Sequence, residues 1–310
     1  MKGRLGISLV VAAGLAIILF LVSSKRNHDT LRPEKKTIVT TYTILGTVVK
    51  DLVGDAFDVT SSIPNGFDIH GWEPSAKDIE TLTKADLIIE NGLNLESGMS
   101  KALEQSRKSG VKIFTTSDHI KIRRVRGGEG TSPNDPDQAV GAKDPHFWTD
   151  PIYMKATIDA LTISIREHFG VDLSNRAKDL GARLTALDIE IQDKVNKLPR
   201  NQRKLVTGHE SLGYFAQRYG FELIGAVIPS ITTDAESSAS SFKLLKKLIS
   251  QSQVPAIFTE MGTPPRTTKA LAKETGVKAI PIATHSLPSD KSYFTFEREL
   301  SSAIIAGLKQ

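Results

Sequence analysis

Short runs of β-branched residues alternate with amphipathic helical stretches along most of this 310-residue chain, and this alternation constrains the fold more than any other feature. Helical patterns lie near 44–53, 75–84, 96–109, 151–169, 210–219, 238–251, 265–275 and 292–308. We predict strands at Thr37–Tyr42, Phe57–Ile63, Asp86–Glu90, Lys112–Thr116, Lys204–Thr207, Glu222–Val227, Ala256–Thr259 and Lys278–Ile282. This rhythm predicts α/β structure in which mostly parallel sheets carry helices on both faces.

A longer helical pattern at 174–198 separates the two groups of strands. Its apolar residues recur every three to four positions, its other face is charged, and Pro199 ends it. About 25 residues give a helix of roughly 37 Å, long enough to connect two lobes. We therefore predict an N-terminal lobe at 37–173, a linking helix at 174–198 and a C-terminal lobe at 199–310. Such folds bind ligands beyond the carboxyl ends of their strands, here in a cleft between the lobes.

The N-terminus has the pattern of an export segment. Lys2 and Arg4 precede an uncharged, largely apolar run from Ile7 to Val22, and two small serines follow it. We interpret residues 1–24 as a signal peptide or a membrane anchor, and 25–36 as a linker. In either case the remainder is expected to be periplasmic or extracytoplasmic.

Composition excludes several classes of site. The chain has no cysteine, so we expect no disulfide, no cysteine-ligated metal and no thiol catalysis, and on the same ground we expect that the protein is not a lipoprotein. The net charge is +5, and the first 26 residues contribute four basic residues and no acid. The basic run Lys121, Arg123, Arg124 and Arg126 has no interleaved aromatic residues, so we interpret it as a solvated edge and expect no nucleic-acid partner.

Four of the seven histidines fall at or just after predicted strands or loops: His70, His146, His209 and His285. Four imidazoles that converge on a cleft suit a transition metal, most simply tetrahedral zinc. Histidines scattered without convergence are the alternative, because spacing across two lobes does not establish contact. The other three, His28, His119 and His168, are interpreted as solvated or otherwise satisfied.

Catalytic motifs are incomplete. His209-Glu210 begins like the HExxH motif of zinc proteases, but Gly213 occupies the position of the second histidine. An exported zinc hydrolase with Glu260 or Glu73 as general base is an alternative from another functional class, and a surface adhesin is a third. Because no catalytic motif is complete, we predict that the protein is not an enzyme.

Four segments, in matching order and spacing, resemble the metal-binding proteins of zinc and manganese ABC importers. The resemblance covers nearly all of residues 37–308. Its segments are Ile69-His70-Gly71-Trp72-Glu73-Pro74-Ser75 with Asp78, Asp144-Pro145-His146-Phe147-Trp148-Thr149-Asp150-Pro151, His209 with Tyr214-Phe215 and Tyr219-Gly220, and Asp234-Ala235-Glu236-Ser237-Ser238.

The resemblance implies two α/β lobes joined by a rigid helix, with one metal ion buried between them and delivered to a membrane permease with its ATPase subunit. It implies that His70 and His146 are metal ligands. It also implies that His209 is the third ligand, at a position that is usually His in zinc-type members and Glu in manganese-type members. The fourth position is usually Asp, and His285 stands there. This departure gives either a fourth imidazole ligand or a three-histidine site completed by water or another side chain. Many zinc-type members carry a histidine-rich loop where 124–143 lies, and this chain does not.

A histidine-rich site favours zinc over manganese, which prefers harder oxygen ligands. We therefore predict a zinc receptor, with a manganese, iron or copper receptor as the alternative. Candidates for supporting the ligands from behind are Glu73, Asp144 and Glu260, while Asp150 is interpreted as a helix N-cap before Pro151. We expect a monomer.

Overall fold

The computed structural model describes residues 35–126, 129, 141–233 and 238–309. The predicted signal or anchor segment and almost all of the linker lie outside these residues. So do His28, most of the 124–143 loop and residues 234–237 of the acidic segment. None of the helices within the described ranges is both long enough and apolar enough to cross a membrane.

The N-terminal lobe contains one four-stranded sheet in which every pairing is parallel. Its spatial order is β2-β1-β3-β4. The strands are β1 (Thr37–Tyr42), β2 (Asp58–Ile63), β3 (Leu87–Glu90) and β4 (Lys112–Thr115), and the helices between them are α1 (Thr43–Val53), α2 (Ala76–Thr83) and α3 (Ser100–Lys108).

The C-terminal lobe repeats this topology. A second parallel sheet has the order β6-β5-β7-β8. Its strands are β5 (Lys204–Thr207), β6 (Glu222–Ala226), β7 (Ala256–Thr259) and β8 (Lys278–Pro281), and its helices are α6 (Gly213–Tyr219), α7 (Ala239–Ser252), α8 (Pro265–Thr275) and α9 (Tyr293–Leu308).

Two long helices, α4 (Pro151–Phe169) and α5 (Ser174–Asn196), lie between the two sheets in sequence. Helix α5 has 23 residues, which corresponds to about 35 Å. Its predicted apolar stripe is buried along its whole length: Leu180, Leu184, Leu187, Ile191 and Val195. The predicted fold class, two α/β lobes with parallel sheets and one long linking helix, is confirmed.

Local sequence accounts for the ends of helix α4. The side chain of Asp150 accepts hydrogen bonds from the backbone N–H groups of Ile152 and Tyr153, and Pro151 occupies the first helical position. At the other end Gly170 adopts φ 69°, the left-handed conformation that glycine enters without steric cost. The interpretation of Asp150 as an N-cap is therefore correct.

The apolar core is continuous across the lobes. One cluster of buried residues joins β1 and α1 of the first lobe to the long helices and to α9 of the second. A smaller cluster lies in the second lobe under α7 and α8 and includes Val206, Leu245 and Ile257. The lobes are thus packed on each other through apolar side chains, and the loops at the carboxyl ends of the strands remain to form a polar site.

Candidate metal centre

The four predicted histidines come from four loops that follow strands or precede helix α4. His70 lies beyond β2, His146 shortly before α4, His209 two residues after β5 and His285 four residues after β8. All four side chains are buried, with relative exposures of 1%, 0%, 0% and 3%. Because parallel strands present their carboxyl ends at the same edge of a sheet, these loops converge although their residues are far apart in sequence.

The imidazoles form one compact group. One nitrogen from each ring can be chosen so that the four nitrogens lie within 4.8 Å of one another. The Nε2 atoms of His70 and His146 are 3.3 Å apart. Two ligands of a tetrahedral zinc ion, each at about 2.05 Å from the metal, are also separated by ~3.3 Å. The spacing of this pair therefore matches a zinc coordination shell, and all four rings are close enough together to offer nitrogens to one ion.

Several ring nitrogens in this group have no hydrogen-bond partner among the described residues. They are Nδ1 of His70, both ring nitrogens of His209 and Nε2 of His285, all fully buried. A buried polar atom without a partner costs on the order of 1–3 kcal/mol, so such atoms are rarely left unpaired without a reason. A cation between the rings would satisfy one nitrogen of each imidazole.

Asp144 supports His146 from behind. Its Oδ1 atom accepts a hydrogen bond from Nδ1 of His146 at 2.9 Å, which assigns the proton to Nδ1 and leaves the lone pair of Nε2 free. The other carboxylate oxygen pairs with the buried guanidinium of Arg123 at 2.9 Å, and Arg123 in turn pairs with Glu129 at 2.6 Å. Asp144 is thereby fixed from both sides.

Glu260 performs the same role in the second lobe. Its Oε1 atom accepts the backbone N–H of His209 and lies 2.8 Å from Nδ1 of that residue. Its Oε2 atom accepts hydrogen bonds from the hydroxyls of Ser211 and Thr284 at 2.6 and 2.5 Å. The Thr284 oxygen also lies 3.0 Å from Nδ1 of His285. One buried carboxylate therefore orients both histidines of the lobe.

Burial disfavours the protonated form of three of these imidazoles, as the directions of their pKa shifts show. Burial lowers the pKa of His70 and of His285 well below 6.5, and the neighbouring imidazoles lower both further. Burial also lowers the pKa of His146, although Asp144 opposes this shift. Burial alone would raise the pKa of Glu260, but His209 and His285 hold it below the ordinary value. Neutral imidazoles backed by ionised carboxylates are the state that binds a metal cation.

The indole of Trp148 closes one side of the group. Its ring lies 5.2 Å from that of His146 and 5.6 Å from that of His285, measured between centroids. Its Nε1 atom donates to the carbonyl oxygen of Thr284 in the other lobe at 2.8 Å, and its own carbonyl accepts from the hydroxyl of Tyr293. Trp148 thus excludes water from the imidazoles and connects the lobes.

Two interpretations of charged residues need correction. Glu73 is exposed, whereas the histidines are buried, so the structure does not bring it to the site, although it is only three residues from His70. Arg123 is only 5% exposed and holds Asp144, so it is not part of a solvated basic edge. By contrast, His119 and His168 are exposed, as expected.

Sequence reasoning missed Arg123, Ser211 and Thr284 as supporting residues. Ser211 and Thr284 lie within two residues of a histidine, and this proximity was the only available signal. No local pattern marks Arg123, because its partner Asp144 is 21 residues away.

Comparison with known proteins identifies the family. A family model described as "ZnuA: Zinc-uptake complex component A periplasmic" matches residues 38–307. The chain belongs to this family. Proteins of the ZnuA family are metal-binding, substrate-binding receptors of ABC importers and not enzymes, so the prediction that the chain is not an enzyme is confirmed and the hydrolase alternative is wrong.

Individual relatives are named either for manganese or for metal in general. The manganese ABC transporter substrate-binding lipoprotein PsaA of Streptococcus anginosus is 28% identical, and the alignment covers 99% of each chain. The metal ABC transporter substrate-binding lipoprotein SsaB of Streptococcus sanguinis is 30% identical over 85% of this chain and 84% of its own. The prediction of a metal-binding receptor is therefore confirmed. These names do not decide which metal ion this chain binds.

These names also contradict one expectation. Relatives aligned over 98–99% of the chain are named lipoproteins, so the expectation that the protein is not a lipoprotein is wrong. It rested on the absence of cysteine alone.

Solved structures agree with the fold. The periplasmic zinc-binding protein TroA of Treponema pallidum superimposes with a TM-score of 0.78 at 26% identity, covering 89% of this chain and all of TroA. A manganese-bound periplasmic metal-binding protein of Candidatus Liberibacter asiaticus gives a TM-score of 0.75 at 21% identity, and this similarity shows the fold alone.

Proposed function

We propose that this protein is an extracytoplasmic receptor that captures one Zn²⁺ ion with His70, His146, His209 and His285 and delivers it to an ABC importer. The observation that carries the proposal is the group of four buried imidazoles whose nitrogens lie within 4.8 Å of one another. His285 acts in this proposal as a fourth nitrogen ligand. A separate water ligand is then not needed.

The choice of zinc rests on the donor atoms. An all-imidazole set of four is suited to a tetrahedral ion of borderline softness, whereas manganese favours carboxylate and water oxygens. Asp144 and Glu260 are the nearest carboxylates described above, and both are engaged with the rear nitrogen of a histidine or its backbone. They support the ligands and do not replace them.

Manganese is the second candidate, because relatives that align over 88–99% of the chain are named manganese transporter lipoproteins. The two candidates differ in what the fourth position must supply. A manganese site would draw in oxygen ligands, and the supporting carboxylates would have to leave their present partners to provide them.

A competition titration distinguishes these metals. The purified protein is stripped of metal and titrated with zinc, manganese and copper in the presence of a chelator of known affinity. We expect one zinc ion per chain and a preference for zinc over manganese of at least two orders of magnitude, which corresponds to ~2.7 kcal/mol. Tighter binding of manganese, or no zinc binding, would reject the proposal.

Delivery implies partners in the membrane. As a family member the chain is the substrate-binding component of an ABC importer, and we propose a permease and its ATPase subunit as partners, with the receptor acting as a monomer. The site is closed by contacts between the lobes, so release to the permease requires that these contacts break.

A further inference from the structure

The loop that follows β2, residues 64–70, contacts the C-terminal lobe at the edge of the cleft. We call it the rim loop. It begins directly after Ile63 and ends at His70, and its first residues are exposed while its last two are buried. The rim loop therefore reaches from the surface of the molecule to one of the four imidazoles.

Asn65 binds the opposite lobe through both ends of its side-chain amide. Its Oδ1 atom accepts the backbone N–H of Leu287 at 2.7 Å, and its Nδ2 atom donates to the carbonyl oxygen of Leu287 at 3.0 Å. This pairing fixes both the position and the direction of the Leu287 backbone. Leu287 is two residues from His285, so the bond restrains the segment that carries this imidazole.

Asp68 makes a second hydrogen-bonded contact between the lobes. Its Oδ2 atom accepts the hydroxyl of Thr233, across the cleft, at 2.7 Å, and its Oδ1 atom accepts the backbone N–H of His70 at 3.1 Å. Gly262 makes room for this approach: a Cβ atom there would lie 3.0 Å from Oδ2 of Asp68 and 2.7 Å from Cγ2 of Thr233. The contact thus connects another segment of the C-terminal lobe to the segment that carries His70.

Both contacts join residues of different lobes, and both lie two residues from a histidine. Opening the cleft must break them, whereas the apolar core that joins the lobes is centred on the long helices and α9. Neither Asn65 nor Asp68 is one of the four nitrogen donors. Interactions made only in the closed conformation slow its opening and leave the first encounter with a ligand unchanged.

We propose that Asn65 and Asp68 form a latch that holds the cleft closed over the bound ion and sets the rate at which the ion is released. They are positioning residues that act through the loops carrying His285 and His70. The proposal rests on the proposed function, since a release rate requires a bound metal ion.

The test uses zinc release from the full chain. Zinc-loaded protein is mixed in a stopped-flow instrument with an excess of a chromogenic chelator, and the dissociation rate is compared for the wild type, Asn65→Ala and Thr233→Val. We expect each substitution to accelerate release about tenfold, equivalent to ~1.4 kcal/mol, as expected for the loss of one or two net hydrogen bonds. The association rate should stay within about twofold of the wild type, since encounter precedes closure.

Asn201→Ala is the matched control. Asn201 is also exposed, but it precedes β5 and so lies at the amino end of the sheet, away from the cleft. Its substitution should leave the release rate unchanged. The visible spectrum of the Co²⁺-loaded protein reports coordination, and it should be the same in Asn65→Ala and the wild type.

Wild-type release rates in both Asn65→Ala and Thr233→Val, in a protein that binds zinc normally, would overturn the latch and leave the proposed function intact. A shifted Co²⁺ spectrum in Asn65→Ala would also overturn it, because the residue would then shape the ligand set itself. A wild-type protein that takes up no zinc would instead reject the proposed function, and the latch with it.

Discussion

Replacing Glu260 by glutamine tests how far the site depends on a charge that never touches the ion. Glu260 is buried and accepts hydrogen bonds at both carboxylate oxygens. One oxygen accepts from the backbone N–H of His209, and the other accepts from the hydroxyls of Ser211 and Thr284. Glutamine keeps the shape but loses the charge, and it replaces one acceptor oxygen with an NH₂ donor. Whichever way the amide is turned, at least one present donor loses its acceptor.

The magnitude follows from these contacts. Carboxylates that orient a ligating histidine typically contribute 10- to 100-fold to metal affinity, or ~1.4–2.7 kcal/mol. Glu260 orients His209 directly and His285 through Thr284, so we expect a loss near the upper end, about 100-fold. Because hydrogen bonds to a charged group contribute roughly 1.5–3 kcal/mol each, the metal-free protein should also lose ~2 kcal/mol of its free energy of unfolding.

Zinc affinity is measured by chelator competition at pH 7.5, and the free energy of unfolding by urea titration of the metal-free protein. Glu73→Gln is the control, because it is the same chemical change at an exposed acid three residues from His70. It should alter neither quantity appreciably. A zinc affinity of Glu260→Gln within about twofold of the wild type, or an equal loss in Glu73→Gln, would show that Glu260 does not support the metal ligands.

Acidification should destabilise the metal-free protein. Burial holds the pKa values of His70, His146 and His285 below 6.5 in the folded state, so the unfolded chain binds more protons below that pH. The melting temperature measured in the presence of a chelator should therefore fall as the pH is lowered from 6.5 towards 5. A constant melting temperature would contradict this expectation. In helix α5, Leu187→Ala should lower the free energy of unfolding, measured in urea, by about 3 kcal/mol, because the Leu187 side chain is only 1% exposed. Ile189 is 56% exposed, so Ile189→Ala should lower it by less than about 1 kcal/mol. Equal losses would contradict the assignment of the buried face.

Local periodicity was sufficient to predict the strands and the linking helix. The predicted strands Lys204–Thr207 and Ala256–Thr259 match β5 and β7 residue for residue, because a short β-branched run bounded by helical patterns is a local property. The start of α6 was not predictable in the same way. The expected helix at 210–219 begins only at Gly213, since the preceding residues bend around Glu260 and the side chain of Ser211 is bonded to it.

The grouping of the four histidines was predictable because one residue type marks it. A supporting role that depends on a distant partner was not predictable. The four histidines lie in loops near the ends of strands or helices, and parallel strands bring such loops together at one edge of each sheet. Arg123 looks like one more cation in a basic run until the fold places it against Asp144. Glu73, in contrast, is close to a histidine in sequence but exposed in the structure, because adjacency along an irregular loop does not fix the direction of a side chain.

We propose that four imidazole nitrogens and no other atoms surround one zinc ion. The X-ray absorption spectrum at the zinc edge, recorded on protein loaded with one equivalent of zinc, tests it most directly. We expect four nitrogen neighbours at about 2.0–2.1 Å, with the outer-shell scattering of imidazole rings. Five or six neighbours dominated by oxygen, or a first shell with fewer than three imidazoles, would contradict it.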